Sequence, residues 1–277
     1  MNKRNILIAF FLFLTINSGI AATVDTIATY SLAMKKNISA IVILPSDQAG
    51  KGPLPVVYLL HGHGGDYANW LTRVPELKKY ADLHRMIIVC PDGGKASWYF
   101  DSPKLPGSKY ETYVAKELVT WIDKHYPTIK DRAGRAITGL SMGGHGALYL
   151  AFKHQDIFGA AGSMSGGLDL RPFPNNWGLA GHLGTYAAHP ETWEQNTVTN
   201  LIHLLTPASL QLIIDCGTQD FFYSVNTAFH QKLLDRNIPH DFISRPGAHN
   251  WDYWRNAVKY QLLFMDNFFD KEPKSGD

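Results

Sequence analysis

Cysteine is scarce in this chain. Only two of its 277 residues are cysteines, Cys90 and Cys216, and they fall in separate predicted strands. A small fold held together by several disulfides is therefore excluded, and stability must come from a hydrophobic core. We expect both thiols to behave as small buried hydrophobic side chains, with one disulfide between them as the alternative.

An excess of charge of either sign is also missing. The chain carries 26 Lys and Arg residues against 24 Asp and Glu residues, and it has no basic run. A nucleic-acid partner is therefore not expected. The sequence has no internal repeat and no low-complexity tract, and 45% of its residues are hydrophobic. These features are typical of one globular domain with a large core.

Long apolar runs are absent except near the N-terminus. Lys3 and Arg4 precede an apolar run over residues 6–16, and small residues follow at 19–22. A short positive segment, an apolar run and a small-residue site together predict a cleaved secretory signal peptide at residues 1–22. The run is too short to span a bilayer comfortably, so a retained membrane anchor is the less favoured alternative.

Cleavage after Ala21 or Ala22 would leave one domain over residues 23–277. The signal peptide contains two basic residues and no acidic ones, so the mature chain would have 24 of each and be close to neutral. We expect an exported protein, periplasmic or secreted, without stable membrane insertion after cleavage. The sequence does not set its oligomeric state.

Apolar, β-branched runs alternate with helical patterns along the mature chain. This alternation predicts an α/β fold with a mostly parallel central sheet and helices on both faces, opened by two antiparallel strands. Periodicity breaks down over about 166–200, which we interpret as an irregular, lid-like insertion rather than a second domain. Strands are predicted at 25–33, 38–44, 55–60, 86–90, 135–138, 159–164, 210–216 and 241–244, and helices at 74–84, 111–125, 146–152, 225–236 and 253–269.

The sequence Gly139-Leu140-Ser141-Met142-Gly143 lies where a predicted strand turns into a helix. So tight a turn strains the serine backbone and leaves no room for side chains two residues before or after it. The strain would lift the Ser141 hydroxyl to the carboxyl edge of the sheet, where it can attack a carbonyl carbon. This pattern arises by chance in about a tenth of chains of this length. Whether Ser141 is a nucleophile therefore depends on whether the sequence also supplies its catalytic partners.

A nucleophilic serine needs a base, and the base needs a carboxylate to orient it. His249 follows the last predicted strand, and Pro246 and Gly247 shape the turn before it. His249 is the predicted base, with a surface loop histidine as the alternative. Two acids compete, Asp215 within a predicted strand and Asp220 in the loop beyond it. Asp220 is favoured because a carboxylate in the loop can reach sideways to the neighbouring loop.

An oxyanion must be held by backbone N–H donors. Met142, directly after the serine, would supply one, and His63 in the glycine-rich segment 60–65 would supply the other. The spacing of His61 and His63 also suits a metal, but no cluster of Asp, Glu or Cys completes such a site. No metal is therefore expected.

Taken together, these segments resemble the esterase D-like (putative esterase) family of α/β-hydrolases. That family includes S-formylglutathione hydrolases, tributyrin esterases, feruloyl and acetyl-xylan esterases, and mycolyltransferases of the antigen 85 type. The resemblance implies an α/β-hydrolase fold, serine esterase activity without a metal or organic cofactor, and an acid at Asp220. It runs from about residue 30 to 268 and rests on four motifs in order, at 59–62, 139–144, 215–221 and 247–251.

Three aromatic residues are the predicted substrate-binding side chains. Trp98 and Tyr99 follow a predicted strand and should line the pocket, where flat rings suit a sugar or an aromatic group; packing alone would explain them equally well. Trp251, two residues after the base, is the third, although support of the histidine loop is the role favoured for it. The insertion at 166–200 would form a lid or a wall of the acyl pocket.

The sequence therefore predicts an exported serine carboxylesterase that forms an acyl-enzyme on Ser141. Its substrate would be a small-molecule or carbohydrate ester, short-chain or carbohydrate-linked, carrying an acetyl or feruloyl group. One alternative is an acyltransferase that uses a sugar hydroxyl in place of water. A thioesterase resembling S-formylglutathione hydrolases is a second, which the signal peptide disfavours. A non-catalytic binding module is a third, which the complete set of serine, acid and histidine disfavours.

Overall fold

The computed structural model describes residues 22–46 and 52–271. Apart from Ala22, the predicted signal peptide lies outside the described residues. Eight strands of the described part of the chain form one sheet in the order β1-β2-β4-β3-β5-β6-β7-β8. Strands β1 and β2 are antiparallel to their neighbours, and β3 to β8 are parallel to one another. The predicted mostly parallel sheet with an antiparallel start is confirmed. The strands are β1 Thr23–Ser31, β2 Lys36–Leu44, β3 Val56–Leu60, β4 Ile87–Pro91, β5 Arg135–Gly139, β6 Ala160–Met164, β7 Gln211–Gly217 and β8 Asp241–Arg245.

Helices cover both faces of this sheet. The central strands are therefore buried on both sides, which explains their continuous apolar sequences. In β3, Val56 and Tyr58 face one hydrophobic cluster and Val57 faces the other. The helices are α1 Asn69–Arg73, α2 Leu77–Leu83, α3 Tyr110–Thr112, a π-helical segment Tyr113–Leu118, α4 Val119–His125, α5 Met142–Lys153, α6 Leu179–Leu183, α7 Pro190–Asn196, α8 Val198–Leu201, α9 Tyr223–Asp235 and α10 Trp251–Lys271.

The insertion at 166–200 is more ordered than its sequence predicts. It contains the three short helices α6, α7 and α8. Each has only four to seven residues, too few for a helical period to show in the sequence. Pro190 starts α7 at a position that suits proline, and the buried Trp193 donates its indole N–H to the carbonyl of Gly184 at 2.9 Å. The prediction of an irregular segment is therefore wrong for these helices.

Two further expectations concern the cysteines and the membrane. Cys90 and Cys216 are free and buried, as predicted, and burial raises the pKa of both thiols. Within the described ranges, no helix has both the length and the apolar character that a membrane span requires.

Glu111, in α3, links this helix to α5, the helix that follows Ser141. Its carboxylate accepts hydrogen bonds from the Tyr149 hydroxyl and the Lys153 ammonium of α5, both at 2.7 Å, and contacts His154 Nε2 at 3.1 Å. The Tyr149 hydroxyl also contacts Asn196 Oδ1 of α7 at 3.0 Å. One largely buried carboxylate thus helps to hold α5 and the insertion together.

Replacing Glu111 with Gln should lower the free energy of unfolding at pH 7 by about 1–3 kcal/mol, because charge-assisted hydrogen bonds are lost. Burial raises the pKa of this carboxyl, but hydrogen bonds from His154, Lys153 and Tyr149 outweigh burial and lower the pKa to about 2. Such a carboxylate stabilises the fold above its ordinary pKa of 4.5, and its contribution fades as pH falls towards 2.

Urea titrations from about pH 7 to about pH 2 measure this effect. The gap in unfolding free energy between the wild type and the Glu111→Gln variant should close as the pH falls. Glu76→Gln, at an exposed position, is the matched control and should change stability by less than about 0.5 kcal/mol. A gap that stays constant with pH would contradict this role of the Glu111 charge.

Candidate active site

Ser141 occupies a strained turn between β5 and α5. Its backbone has φ 54° and ψ −117°, and its N–H donates to the carbonyl of Met164 at 2.9 Å. The flanking glycines allow the close approach of strand and helix. A Cβ at Gly139 would lie 2.5 Å from the carbonyl oxygen of Gly143, and a Cβ at Gly143 would lie 2.5 Å from that of Leu60. The turn therefore needs glycine at both positions.

The structure brings Ser141, His249 and Asp220 into one hydrogen-bonded chain. Ser141 Oγ lies 2.9 Å from His249 Nε2, and His249 Nδ1 lies 2.8 Å and 3.0 Å from the two oxygens of Asp220. With Nδ1 protonated, His249 donates to the carboxylate and its Nε2 accepts the serine proton. This arrangement allows the histidine to act as a general base towards the serine.

The two candidate acids have different surroundings. The Asp220 side chain is fully buried and also accepts the N–H of Phe222 at 2.8 Å, which fixes its direction towards His249. Asp215, at the end of β7, instead contacts Arg245 and the Tyr253 hydroxyl. Only Asp220 of the two contacts His249 among the described hydrogen bonds, as the loop argument predicts.

The two predicted oxyanion donors, Met142 and His63, belong to segments next to Ser141. Met142 is the first residue of α5, so its N–H belongs to the unpaired donors that a helix leaves at its positive N-terminal end. His63 follows Gly62, which packs so closely on the nucleophile turn that a Cβ there would lie 2.5 Å from Leu140 Cδ1 and 3.4 Å from the Ser141 Cβ. His63 and Ser141 both line the cavity in front of the hydroxyl, and Met142 directly follows Ser141, so the oxyanion role of the two N–H groups stays a prediction.

His61 supports the loop that carries His63. It is buried, its Nε2 accepts the N–H of Gly93 at 2.8 Å, and its Nδ1 contacts the carbonyl of Gly62 at 2.8 Å. With both ring nitrogens so engaged, His61 is not free to bind a metal. His63 is exposed, and the burial of part of its ring lowers its pKa. No group of three or more candidate metal ligands occurs within residues 22–46 and 52–271.

A cavity of about 210 Å³ opens in front of Ser141 and His249. This is smaller than typical pockets for drug-sized ligands, which span about 300–1,000 Å³. The predicted residues His63 and Trp251 border it. Its full lining is Gly62, His63, Asn69, Leu140, Ser141, Trp177, Phe221, His249, Trp251 and Trp254.

Trp98 and Tyr99 do not line this cavity, and the prediction that they do is wrong. Their exposed fractions are 1% and 0%, and both residues have positive φ angles, 52° and 63°. The Tyr99 hydroxyl donates to the carbonyl of His61 at 3.1 Å, and the Trp98 indole N–H lies 3.4 Å from the carbonyl of Trp177. They support the walls of the cavity from behind.

Three aromatic residues of the cavity, Trp177, Phe221 and Trp254, are not among the predicted substrate-binding residues. Phe221 lies with its ring centroid 4.2 Å from that of His249 and is 52% exposed. Trp177, from the insertion, stacks on Phe221 with centroids 5.8 Å apart. The position of Phe221 directly after the favoured acid was a usable signal. Nothing in the sequence around Trp177 places it at the site.

The insertion that carries Trp177 is fastened to the nucleophile helix. His145, one turn after Ser141, is fully buried and contacts the carbonyl of Asn196 at 3.0 Å through Nε2. Burial lowers the pKa of His145 to about 4, so its ring is neutral at pH 7. The Trp98 ring packs against it with centroids 5.5 Å apart. The cavity wall is thus attached to the helix that carries the nucleophile.

Comparison with known proteins agrees with this geometry. The model of the family described as "Putative esterase" matches residues 31–265. An esterase of Mycobacterium tuberculosis is 31% identical over 238 residues, which cover 75% of this chain and 51% of the relative. The chain thus spans about half the length of that curated relative.

Solved structures extend the likeness over most of the chain. A ferulic acid esterase is 30% identical, covers 90% of this chain and 99% of its own, and superposes with a TM-score of 0.76. A fluorophosphonate-binding serine hydrolase of Staphylococcus aureus is 25% identical, covers 89% and 99%, and superposes with a TM-score of 0.79. The chain therefore belongs to this esterase family, with the α/β-hydrolase fold.

Proposed function

We propose that the chain is a serine carboxylesterase that acts through an acyl-enzyme on Ser141. The observation that carries this proposal is the continuous chain from Ser141 Oγ to His249 and on to the buried Asp220 carboxylate, with contacts of 2.9 and 2.8 Å. This is the arrangement that a serine nucleophile requires, and it faces an open cavity. Membership of an esterase family supports the same chemistry.

In the first step His249 Nε2 takes the hydroxyl proton while Ser141 Oγ bonds to the ester carbonyl carbon. The negative charge that develops on the carbonyl oxygen is stabilised by the N–H groups of His63 and Met142. His249 then gives its proton to the leaving alcohol as the ester C–O bond breaks. Water, deprotonated by the same histidine, then bonds to the acyl carbon; the bond from that carbon to Ser141 Oγ breaks, His249 returns the proton to Oγ, and the acid leaves. Asp220 keeps the imidazole in the required tautomer and orientation.

We further propose short-chain or carbohydrate-linked esters, acetyl or feruloyl, as substrates. The cavity of about 210 Å³ suits a small acyl group or a single ring. Trp177, Phe221 and Trp251 give it flat apolar walls, on which an aromatic acyl group or a sugar ring can lie. The likeness to a ferulic acid esterase supports the aromatic choice.

Export is also a proposal, supported by the signal-peptide pattern at residues 1–22. The protein expressed with these residues should be found in the periplasm or the medium, and its mass should match a chain that begins at Ala22 or Thr23. Deleting residues 2–22 should retain the protein in the cytoplasm. A full-length mass in the exported fraction, or export without the segment, would contradict the proposal.

Replacing Ser141 with Ala should lower the hydrolysis of p-nitrophenyl acetate by about 10⁴-fold or more, because the nucleophile is lost. The same variant should lose covalent labelling by a fluorophosphonate probe, while its circular dichroism spectrum stays unchanged. Ser39→Ala, in β2, is the control and should keep both properties. Hydrolysis that survives in the Ser141→Ala variant would overturn the assignment of the nucleophile.

Replacing Trp177 with Ala should lower kcat/KM for a feruloyl ester by about 3–30-fold, because an aromatic contact with the acyl group is lost. For an acetyl ester the change should stay below about threefold, since a small acyl group does not reach the wall. Trp121→Ala removes an indole that stacks on His125 in α4, and it is the matched control. Equal losses on both esters would mean that Trp177 supports the fold rather than the choice of acyl group.

A further inference from the structure

Of the three hydrogen-bonded residues Ser141, His249 and Asp220, His249 follows the strand with the least packing around it. Ser141 follows β5, in which all five residues are buried, and Asp220 follows β7, in which six of seven are buried. His249 follows β8, an edge strand in which no residue is fully buried. A loop behind such a strand opens easily unless other contacts hold it.

Asp215 supplies those contacts. Its carboxylate is fully buried, and its two oxygens bind different ends of the histidine loop. One oxygen accepts a hydrogen bond from the guanidinium of Arg245, the last residue of β8. The other accepts the hydroxyl of Tyr253, in the first turn of α10. His249 lies between Arg245 and Tyr253 in the sequence, so one carboxylate fixes the loop at both ends.

Further contacts join this loop to the loop of the acid. The N–H of Thr218 donates to the carbonyl of Arg245 and the N–H of Gln219 to that of Gly247, both at 2.9 Å. The Arg245 guanidinium also lies over the rings of Tyr253 and Tyr260, with 5.3 and 4.3 Å to the ring centroids. The histidine loop is therefore joined to the acid loop directly, as well as to Asp215 in β7.

We propose that Asp215, Arg245 and Tyr253 form a clamp that positions His249 between Asp220 and Ser141. Asp215 is thus a positioning residue, which touches neither the substrate nor the reacting atoms and acts through His249. This proposal rests on the proposed function, because the clamp is expected to affect the rate at which Ser141 is acylated. Its loss should lower kcat and leave KM almost unchanged, since none of its three residues lines the cavity.

Replacing Asp215 with Asn keeps the size of the side chain and removes the charge. We expect kcat for p-nitrophenyl acetate to fall about 10–100-fold, as for a catalytic group displaced by about 1 Å, with KM within twofold. Asp220→Asn should cost more, up to about 10⁴-fold, because the histidine loses its direct partner. In the Asp215→Asn, Asp220→Asn double variant, the Asp215 change should add less than about threefold, because the orientation it maintains is already lost.

A buried ion pair elsewhere provides the matched control. Arg135 and Asp123 are 2.7 Å apart, with side chains that are 4% and 16% exposed, and they lie at the far end of β5 from Ser141. Asp123→Asn should lower the Tm as Asp215→Asn does, since both leave an arginine without its partner. Its kcat should stay within threefold of the wild type. An equal fall in kcat for both variants would overturn the clamp.

Tyr253→Phe tests the clamp when Asp215→Asn does not fold. It removes a single hydroxyl and keeps the ring, so the fold should persist while kcat falls about 3–10-fold at constant KM. A Tyr253→Phe variant with wild-type kcat would overturn the clamp. A wild type that hydrolyses the ester, together with an inactive Ser141→Ala variant, would then show that the proposed function still stands. Activity that survives in Ser141→Ala would instead overturn the proposed function.

Discussion

The strained turn at Ser141 is the constraint on which the rest of the site depends. A non-glycine residue held in such a conformation costs about 1–3 kcal/mol, and the surrounding structure must supply that energy. Here β5 lies between β3 and β6 in the middle of the sheet, and the Ser141 N–H is fastened to Met164. The turn places the hydroxyl and the positive end of α5 at the carboxyl edge of the sheet. Every other functional group must therefore reach that edge, and His63, Asp220 and His249 all lie in loops that start there.

The parts of the structure that the sequence predicts well are those in which burial dictates composition. Parallel strands covered on both faces must be apolar throughout, so their positions could be predicted to within a few residues. The roles of Ser141 and Asp220 could be proposed because each lies just beyond such a strand. The role of His249 could be proposed because it lies beyond the last predicted strand of the same sheet, although that strand, β8, is an edge strand without fully buried residues. Trp98 and Tyr99 were misplaced because side-chain direction in a turn depends on backbone angles, which the sequence around them does not reveal; both residues have positive φ and both rings are buried.

The aromatic wall of the cavity shows a second limit of prediction. Phe221 is near the acid in sequence, but Trp177 reaches the site only because the insertion folds back onto α5. That fold depends on distant contacts, such as those of Asn196 with His145 and Tyr149. No local pattern encodes them. Specificity in this family fold can therefore vary in the insertion while the catalytic geometry, fixed by buried strands, stays the same.

The need for a clamp around Asp215 follows from a difference in burial: the strands before Ser141 and Asp220 are buried, whereas β8, the strand before His249, is not. A buried ion pair contributes little net stability, because the cost of removing both charges from water offsets their attraction. Apolar side chains at Asp215 and Arg245 could hold β7 and β8 together about as well. They could not fix the direction of the chain, because hydrophobic contacts are not directional. Hydrogen bonds from one carboxylate to two points on the loop do fix it. We therefore interpret the polar clamp as fixing the position of His249, whose loop follows β8, a strand without fully buried residues.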